Sequence, residues 1–273
     1  MADKVKILFL GDIAGRPGRY AARDYLAGLG ADMPDFIIAN AENASHGFGL
    51  TKKNYEELLG CGINCFTSGN HIWDKREIFE YIDEAEALLR PLNYPKGTKG
   101  RGFKVFETNK CPIGVINVLG RTFMSACESY FELLDNAVSE IKKETNVIFM
   151  DIHAEATAEK ICLAKYYAQK GVSFITGTHT HVQTADEQIL NGSCAYITDA
   201  GFCGAYDSVI GMDYDISLRR MQTGIPERLE IADSADRIIN GVSAVIDCGT
   251  GKAESIERIN KIITNEENKD MKG

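Results

Sequence analysis

The stretch "VSFITGTHTHVQ", residues 172–183, changes character half-way along. Val172 to Thr176 is a short apolar, β-branched run of the kind that forms a buried strand, and Gly177 punctuates it. Directly behind stand His179 and His181, two of only five histidines in 273 residues. Scarce imidazoles placed one residue apart just past a strand suggest metal ligands.

The same unit recurs along the chain. Apolar runs lie at 5–10, 36–39, 65–68, 115–119, 147–150, 172–176 and 195–198, with helix-like segments at 17–29, 51–60, 74–88, 130–144 and 155–170 between several of them. This alternation predicts a layered α/β architecture. Pro17 suits a first helical turn, and Thr51 and Asp74 are placed as N-caps of the second and third helices. The final stretches 241–248 and 254–262 read as two further strands. A single domain over 1–264 with a loose tail over 265–273 is expected, because this length is near the upper limit of one core.

Bulk composition narrows the function. A formal net charge of −9 argues against an electrostatic grip on duplex nucleic acid, which needs clustered Lys and Arg. The N-terminal apolar run is too short for a signal peptide or a membrane span, so a cytoplasmic protein is expected. The eight cysteines are scattered without C-x-x-C spacing and read as reduced core thiols.

Metal-capable residues follow five of the apolar runs in order: Asp12; Glu42 and Asn43; Asn70 and His71; His153; His179 and His181. Residues just past the carboxyl ends of parallel strands converge in an open α/β fold. Three imidazoles, two carboxylates and two amide oxygens suit borderline divalent metals. They are too many for one tetrahedral zinc, and fit two ions at the ~3.5–4 Å spacing of two-metal hydrolases.

The order Asp, Glu-Asn, Gly-Asn-His, His, Gly-x-His-x-His resembles the calcineurin-like metallophosphoesterases. The longer motifs "GDIAGRPGR", "NAENASHGFGLT", "GNHIWDK", "DIHAEATAEK", "GTHTHVQTAD" and "YITDAGFCGAYDSVIGMD" are similar to the YmdB-like branch of bacterial metallophosphoesterases over about residues 5–262. The resemblance implies a four-layer α/β/β/α sandwich and a 2′,3′-cyclic-nucleotide 2′-phosphodiesterase that works through a hydroxide shared by two metals. Two departures from the broad superfamily belong to this branch: Ala14 stands where a histidine is usual, and Glu42-Asn43 replaces a carboxylate motif.

Carried over residue by residue, one ion takes Asp12, Glu42, Asn43 and His181. The other takes Glu42 as a bridge with Asn70, His153 and His179. Iron or manganese is expected, in divalent or mixed-valence form, with zinc compatible. His71, beside a ligand but without a metal of its own, is the expected general acid. Asp151 is expected to orient His153 or a neighbour. Arg16, Arg19 and His46 are candidate substrate contacts, and the glycine-rich 201–213 segment is a candidate pocket or oligomer contact. A homo-oligomer is a further implication of the resemblance. Two other readings compete: an amidohydrolase-type C–N hydrolase, whose H-x-H would come on the first strand, and a regulatory metalloprotein acting mainly through partners.

Overall fold

A computed structural model of the chain describes residues 3–124 and 127–264. The first half contains β1 (Lys4–Leu10), β2 (Asp12–Ile13), α1 (Gly15–Ala27), β3 (Phe36–Asn40), α2 (Lys52–Gly60), β4 (Cys65–Thr67), α3 (Ile78–Tyr81), β5 (Phe103–Phe106) and β6 (Ile113–Leu119). The second contains α4 (Tyr130–Ile141), β7 (Ile148–His153), α5 (Thr157–Gln169), β8 (Phe174–Thr178), β9 (Gln188–Leu190), β10 (Cys194–Ile197), β11 (Phe202–Ala205), α6 (Tyr214–Thr223), β12 (Arg237–Asp247) and β13 (Ala253–Ile263).

These strands make two sheets. One runs β2-β11-β12-β1-β3-β4 with β13 also on β12, and the other runs β5-β6-β7-β8-β10-β9. Strands β1, β3 and β4 are parallel, as are β6, β7, β8 and β10, so the strands that precede the metal-capable residues are parallel within their own sheets.

Side-chain alternation decides the layering. Val5, Ile7 and Phe9 of β1 join Val115, Phe149 and Phe174 in a core between the sheets, while Leu8 and Leu10 join Ala21, Ala22, Leu26 and Leu58 under α1 and α2. On the second sheet, Ile148, Met150 and Ile152 face Leu134, Ile141, Leu163 and Tyr167 of α4 and α5. Period-two strands buried on both faces thus give three apolar interfaces and an α/β/β/α sandwich.

Several boundaries follow the sequence closely. Thr51 caps α2 by accepting from the Asn54 N–H, 3.3 Å away. The helix expected over 74–88 does not form. Ile78, Tyr81, Ile82, Ala85 and Leu88 keep a helical spacing and are all buried, but the backbone on either side of Ile78–Tyr81 runs through turns, and Trp73 folds back to stack on Phe79 at 5.1 Å. Successive turns replace the helix, and only α3 remains. The 201–213 segment, read as a loop, contributes β11, which pairs with both β2 and β12. α6 was outside the expected helices; Asp213 caps it by accepting from Ile216 N–H, and Gly224 ends it in the left-handed region. The tail expected over 265–273 lies outside the described residues. No helix among the described residues is long and apolar enough to cross a membrane.

Candidate metal centre

The carboxyl ends of β1, β3, β4, β7 and β8 bring the seven candidate ligands to one place. Asp12 follows β1 at the start of β2, Glu42 and Asn43 follow β3, Asn70 follows β4, His153 ends β7, and His179 and His181 follow β8. Asp12, Glu42 and His153 are fully buried. The cavity over them has a volume of about 360 Å³ and is lined by Glu42, Asn43, His71, His179 and His181 together with Phe48, Glu155 and Met212.

His153 is the hub of one side. Its Nε2 lies 2.9 Å from Glu42 Oε1, 3.1 Å from Asn70 Oδ1 and 3.1 Å from His179 Nδ1. Donor atoms of Glu42, His153 and His179 all lie within 4.8 Å of one another, a spacing that can hold a cation. Behind the ring, Thr178 donates to Asp151 Oδ1 at 2.7 Å and so accepts from His153 Nδ1 at 2.9 Å. Thr67 and Asn40 also donate to Asp151. The relay fixes the proton on Nδ1 and leaves Nε2 for the cavity, so Asp151 acts on His153 through Thr178.

On the other side, His181 donates Nδ1–H to the Ile210 carbonyl at 2.8 Å, which leaves Nε2 facing Asp12 Oδ1 at 3.7 Å. Phe202 stacks on the ring at 5.4 Å and holds its plane. Asp12 Oδ1 and Asn43 Oδ1 are buried without any hydrogen-bond partner. An unmatched buried acceptor costs about 1–3 kcal/mol, so these two oxygens fit a cation. The Asn43 amide nitrogen lies 3.2 Å from His181 Nε2 and 3.4 Å from Glu42 Oε1. A half-turn about the terminal bond puts Oδ1 in that position instead.

The backbone is arranged to reach this geometry. His179 and His181 both adopt positive φ, 99° and 62°, a region costly for residues with a Cβ. The excursion lets the two rings leave the strand direction and address different neighbours. Gly69 meets a separate demand: a Cβ there would come within 2.2 Å of the His153 ring.

Protonation reinforces the picture. Burial disfavours the imidazolium of His153, but the Glu42 and Asp12 carboxylates outweigh it and lift its pKa to about 9. His181 is raised in the same way, with burial overcome by Asp12. Burial also opposes ionisation of Asp12 and Glu42, yet the histidines hold both below their ordinary values. His179 goes the other way, to about 4, through burial and the neighbouring His153. A proton on His153 thus stands where a cation would, and a metal bound there would have to displace it.

His71 lines the cavity without joining the ligand cluster. Its backbone N–H donates to Glu42 Oε2 at 2.8 Å, its Nδ1 lies 2.8 Å from Asp74 Oδ2, and Phe48 packs edge-on at 4.9 Å. Asp74, expected as a helix cap, is therefore the partner that orients His71. Arg19 is committed elsewhere, to Glu57 at 3.0 Å and the Ala44 carbonyl at 2.6 Å. Arg16 and His46 line an adjoining cavity instead of the one over the ligands.

Residues 8–259 match the sequence pattern of the YmdB-like protein family. The chain belongs to this family. A Bacillus subtilis relative described as a 2′,3′-cyclic-nucleotide 2′-phosphodiesterase is 44% identical over 256 residues, covering 93% of this chain and 96% of its own. The crystal structure of a phosphatase from Mycoplasma pneumoniae superposes with a TM-score of 0.89 at 34% identity, over 98% of each chain. The NAD nucleotidase of Haemophilus influenzae shares the fold alone, with a TM-score of 0.62 at 14% identity over 96% of this chain and 57% of that one.

Four contributors to this YmdB-like site carry no signal in local spacing. Glu155 lies 3.2 Å from His179 Nε2. Ile210 acts through its carbonyl, for which side-chain identity is no guide. Asp199 accepts from the Thr180 hydroxyl at 2.8 Å, between the two histidines, and is itself paired with buried Lys160 at 2.6 Å. Glu155 after β7 and Asp199 after β10 each lie two residues past a strand end, where the other candidates were found, but nothing in their own spacing sets them apart.

Proposed function

We propose that this protein is a metal-dependent phosphodiesterase that opens 2′,3′-cyclic nucleotides, with Asp12, Glu42, Asn43 and His181 holding one ion and Glu42, Asn70, His153 and His179 the other. The observation that carries this reading is the pair of orphaned oxygens, Asp12 Oδ1 and Asn43 Oδ1, buried beside three converging imidazoles. The relative's phosphodiesterase activity supports the substrate class. When bound, two divalent ions acidify a water to give the nucleophile and offset charge on the phosphoryl oxygens.

The chain's own residues supply the rest. Asp151 and Thr178 hold His153 in one tautomer, and Ile210 does the same for His181. His71, steadied by Asp74, has Nε2 free to protonate the departing ribose oxygen, a step worth about 10²–10⁴-fold. In balance, a water oxygen joins phosphorus, the bond from phosphorus to O2′ breaks, and O2′ leaves with a proton as the 3′-phosphate forms.

The test is metal analysis combined with a panel of phosphoesters on the Mn²⁺-loaded protein. Cyclic 2′,3′-nucleotides are expected to give 3′-phosphates, with phosphomonoesters much slower. Monoesters cleaved far faster than cyclic diesters would defeat the substrate assignment while leaving the family intact.

A further inference from the structure

Beside the metal cavity lies a second, of about 560 Å³, lined by Arg16, Pro17, Arg19, His46, Arg228, Leu229, Glu230 and Asp233 among others. The same loops build both. Asp12 and Arg16 lie at the two ends of one turn, and His46 precedes the Gly47 and Phe48 that line the metal cavity. Leu229 lines both, so the cavities meet at that side chain.

The arrangement is held, not incidental. Segment 228–232 is tied down by the Asp213 N–H donating to Glu230 at 2.9 Å and the Ala232 N–H donating to Gly211 at 3.0 Å. Ile231 then presses onto the start of α1 and onto the His46 loop so closely that a Cβ on Gly15 or Gly47 would meet it at 2.8 or 2.9 Å. Arg228, just ahead of this anchored segment, and Arg16, at the start of α1, thus line the same cavity. Arg19 is neutralised by Glu57, whereas Arg16 and Arg228 form no ion pair within 4.0 Å among the described residues, even with Glu230 and Asp233 in the lining. Arg16, His46 and Arg228 border this concavity with their side chains exposed, so a phosphate seated there would meet two guanidiniums that have no ion pair of their own, beside the carboxylates of Glu230 and Asp233.

We infer that this cavity receives a second phosphate group of the same substrate. The inference rests on the phosphodiesterase reading and extends it: the favoured substrate carries a phosphate besides the cyclic one. That group is either a 5′-phosphate or the internucleotide phosphate of a short single strand ending in a 2′,3′-cyclic phosphate. Guanidinium suits either, because it grips phosphate oxygens in pairs.

The experiment compares three substrates of the Mn²⁺-loaded full-length protein: adenosine 2′,3′-cyclic phosphate, the same compound 5′-phosphorylated, and the diadenylate with the same cyclic end. One of the phosphate-bearing pair is expected to exceed the simple cyclic nucleotide about tenfold in kcat/KM, mainly through KM, and which one does so identifies the source of the group. Arg228→Gln should remove that advantage and Arg228→Lys restore part of it. Equal kcat/KM for all three, or an advantage untouched by Arg228→Gln, overturns the inference. Calorimetry with adenosine 3′,5′-bisphosphate against adenosine 3′-phosphate reads the cavity without turnover. Tighter binding of the bisphosphate, lost in Arg228→Gln, sustains the second-phosphate seat even if no cyclic substrate is cleaved, an outcome that would sink the phosphodiesterase reading alone.

Discussion

On one side of the metal cavity, His153 touches Glu42, Asn70 and His179 at once; on the other, Asp12 and Asn43 each keep an oxygen that touches no donor. The difference is one of hydrogen inventory. Imidazole can carry a proton and satisfy a carboxylate, so the His153 side closes on itself when metal is absent. On the other side one imidazole stands 3.7 Å from Asp12 Oδ1, and the Asn43 amide turns its nitrogen to that ring and leaves its oxygen unmatched, so that side would depend more on a cation. It is also the harder donor set, which favours manganese or iron over late transition metals.

Removing the residue common to both sides should have the largest effect. Glu42→Ala is expected to lose both ions and lower hydrolysis by about 10³-fold or more. Retention of either ion at full occupancy would show that Glu42 bridges nothing. Next comes Asn43→Ala, which cuts only the oxygen-rich side: dialysed protein should fall from about two bound ions towards one, with activity lost because both are needed. Two firmly held ions in that variant would erase the contrast between the sides.

A third substitution leaves the ligands alone. His71→Ala should keep the metals and slow cyclic nucleotides by about 10²-fold, while substrates with a nitrophenyl leaving group slow far less. Asp74→Asn should show the same selectivity at roughly a tenth of the size. Equal losses for both leaving groups would remove His71 from acid catalysis.

The smallest effect concerns the metal-free protein. Because the folded-state pKa of His153 is raised from 6.5 to about 9, its ion pair with Glu42 contributes fully below pH 6.5 and is lost as pH rises through about 9. Thermal unfolding of the metal-free form should therefore drop across that window, and His153→Gln should flatten the profile. Metal-loaded protein should not show the drop, since the ion has already displaced the proton.

The convergence of the seven candidate ligands was legible because each follows a short β-branched run, and such runs are hard to mistake. Alternation of apolar runs with helical segments gave a layered α/β fold; the four-layer order came only with the family resemblance, and in the structure Leu8 and Phe9, like Ile37 and Ile38, face opposite cores. What stayed hidden depends on partners remote in sequence. Asp74 looks like a cap because "DKREIFEYI" has helical composition, yet its carboxylate goes to His71 Nδ1 and the helix begins only at Ile78. Arg19 looks like a phosphate contact until Glu57, far along the chain, claims its guanidinium. β11 lies within the glycines Gly201, Gly204 and Gly211, which locally signal a loop; its strand character comes from β2 and β12 alone.

Asp12, Glu42, Asn43 and Asn70 ride on the first sheet, and His153, His179 and His181 on the second. With the proposed ligand set, ion binding would be linked thermodynamically to the mating of two sheets, and the metal dissociation constant would gauge how tightly they are joined. A cavity cut into the shared core far from any ligand, such as Phe149→Ala at a side chain with 0% exposure, should weaken metal retention while leaving every coordinating atom in place.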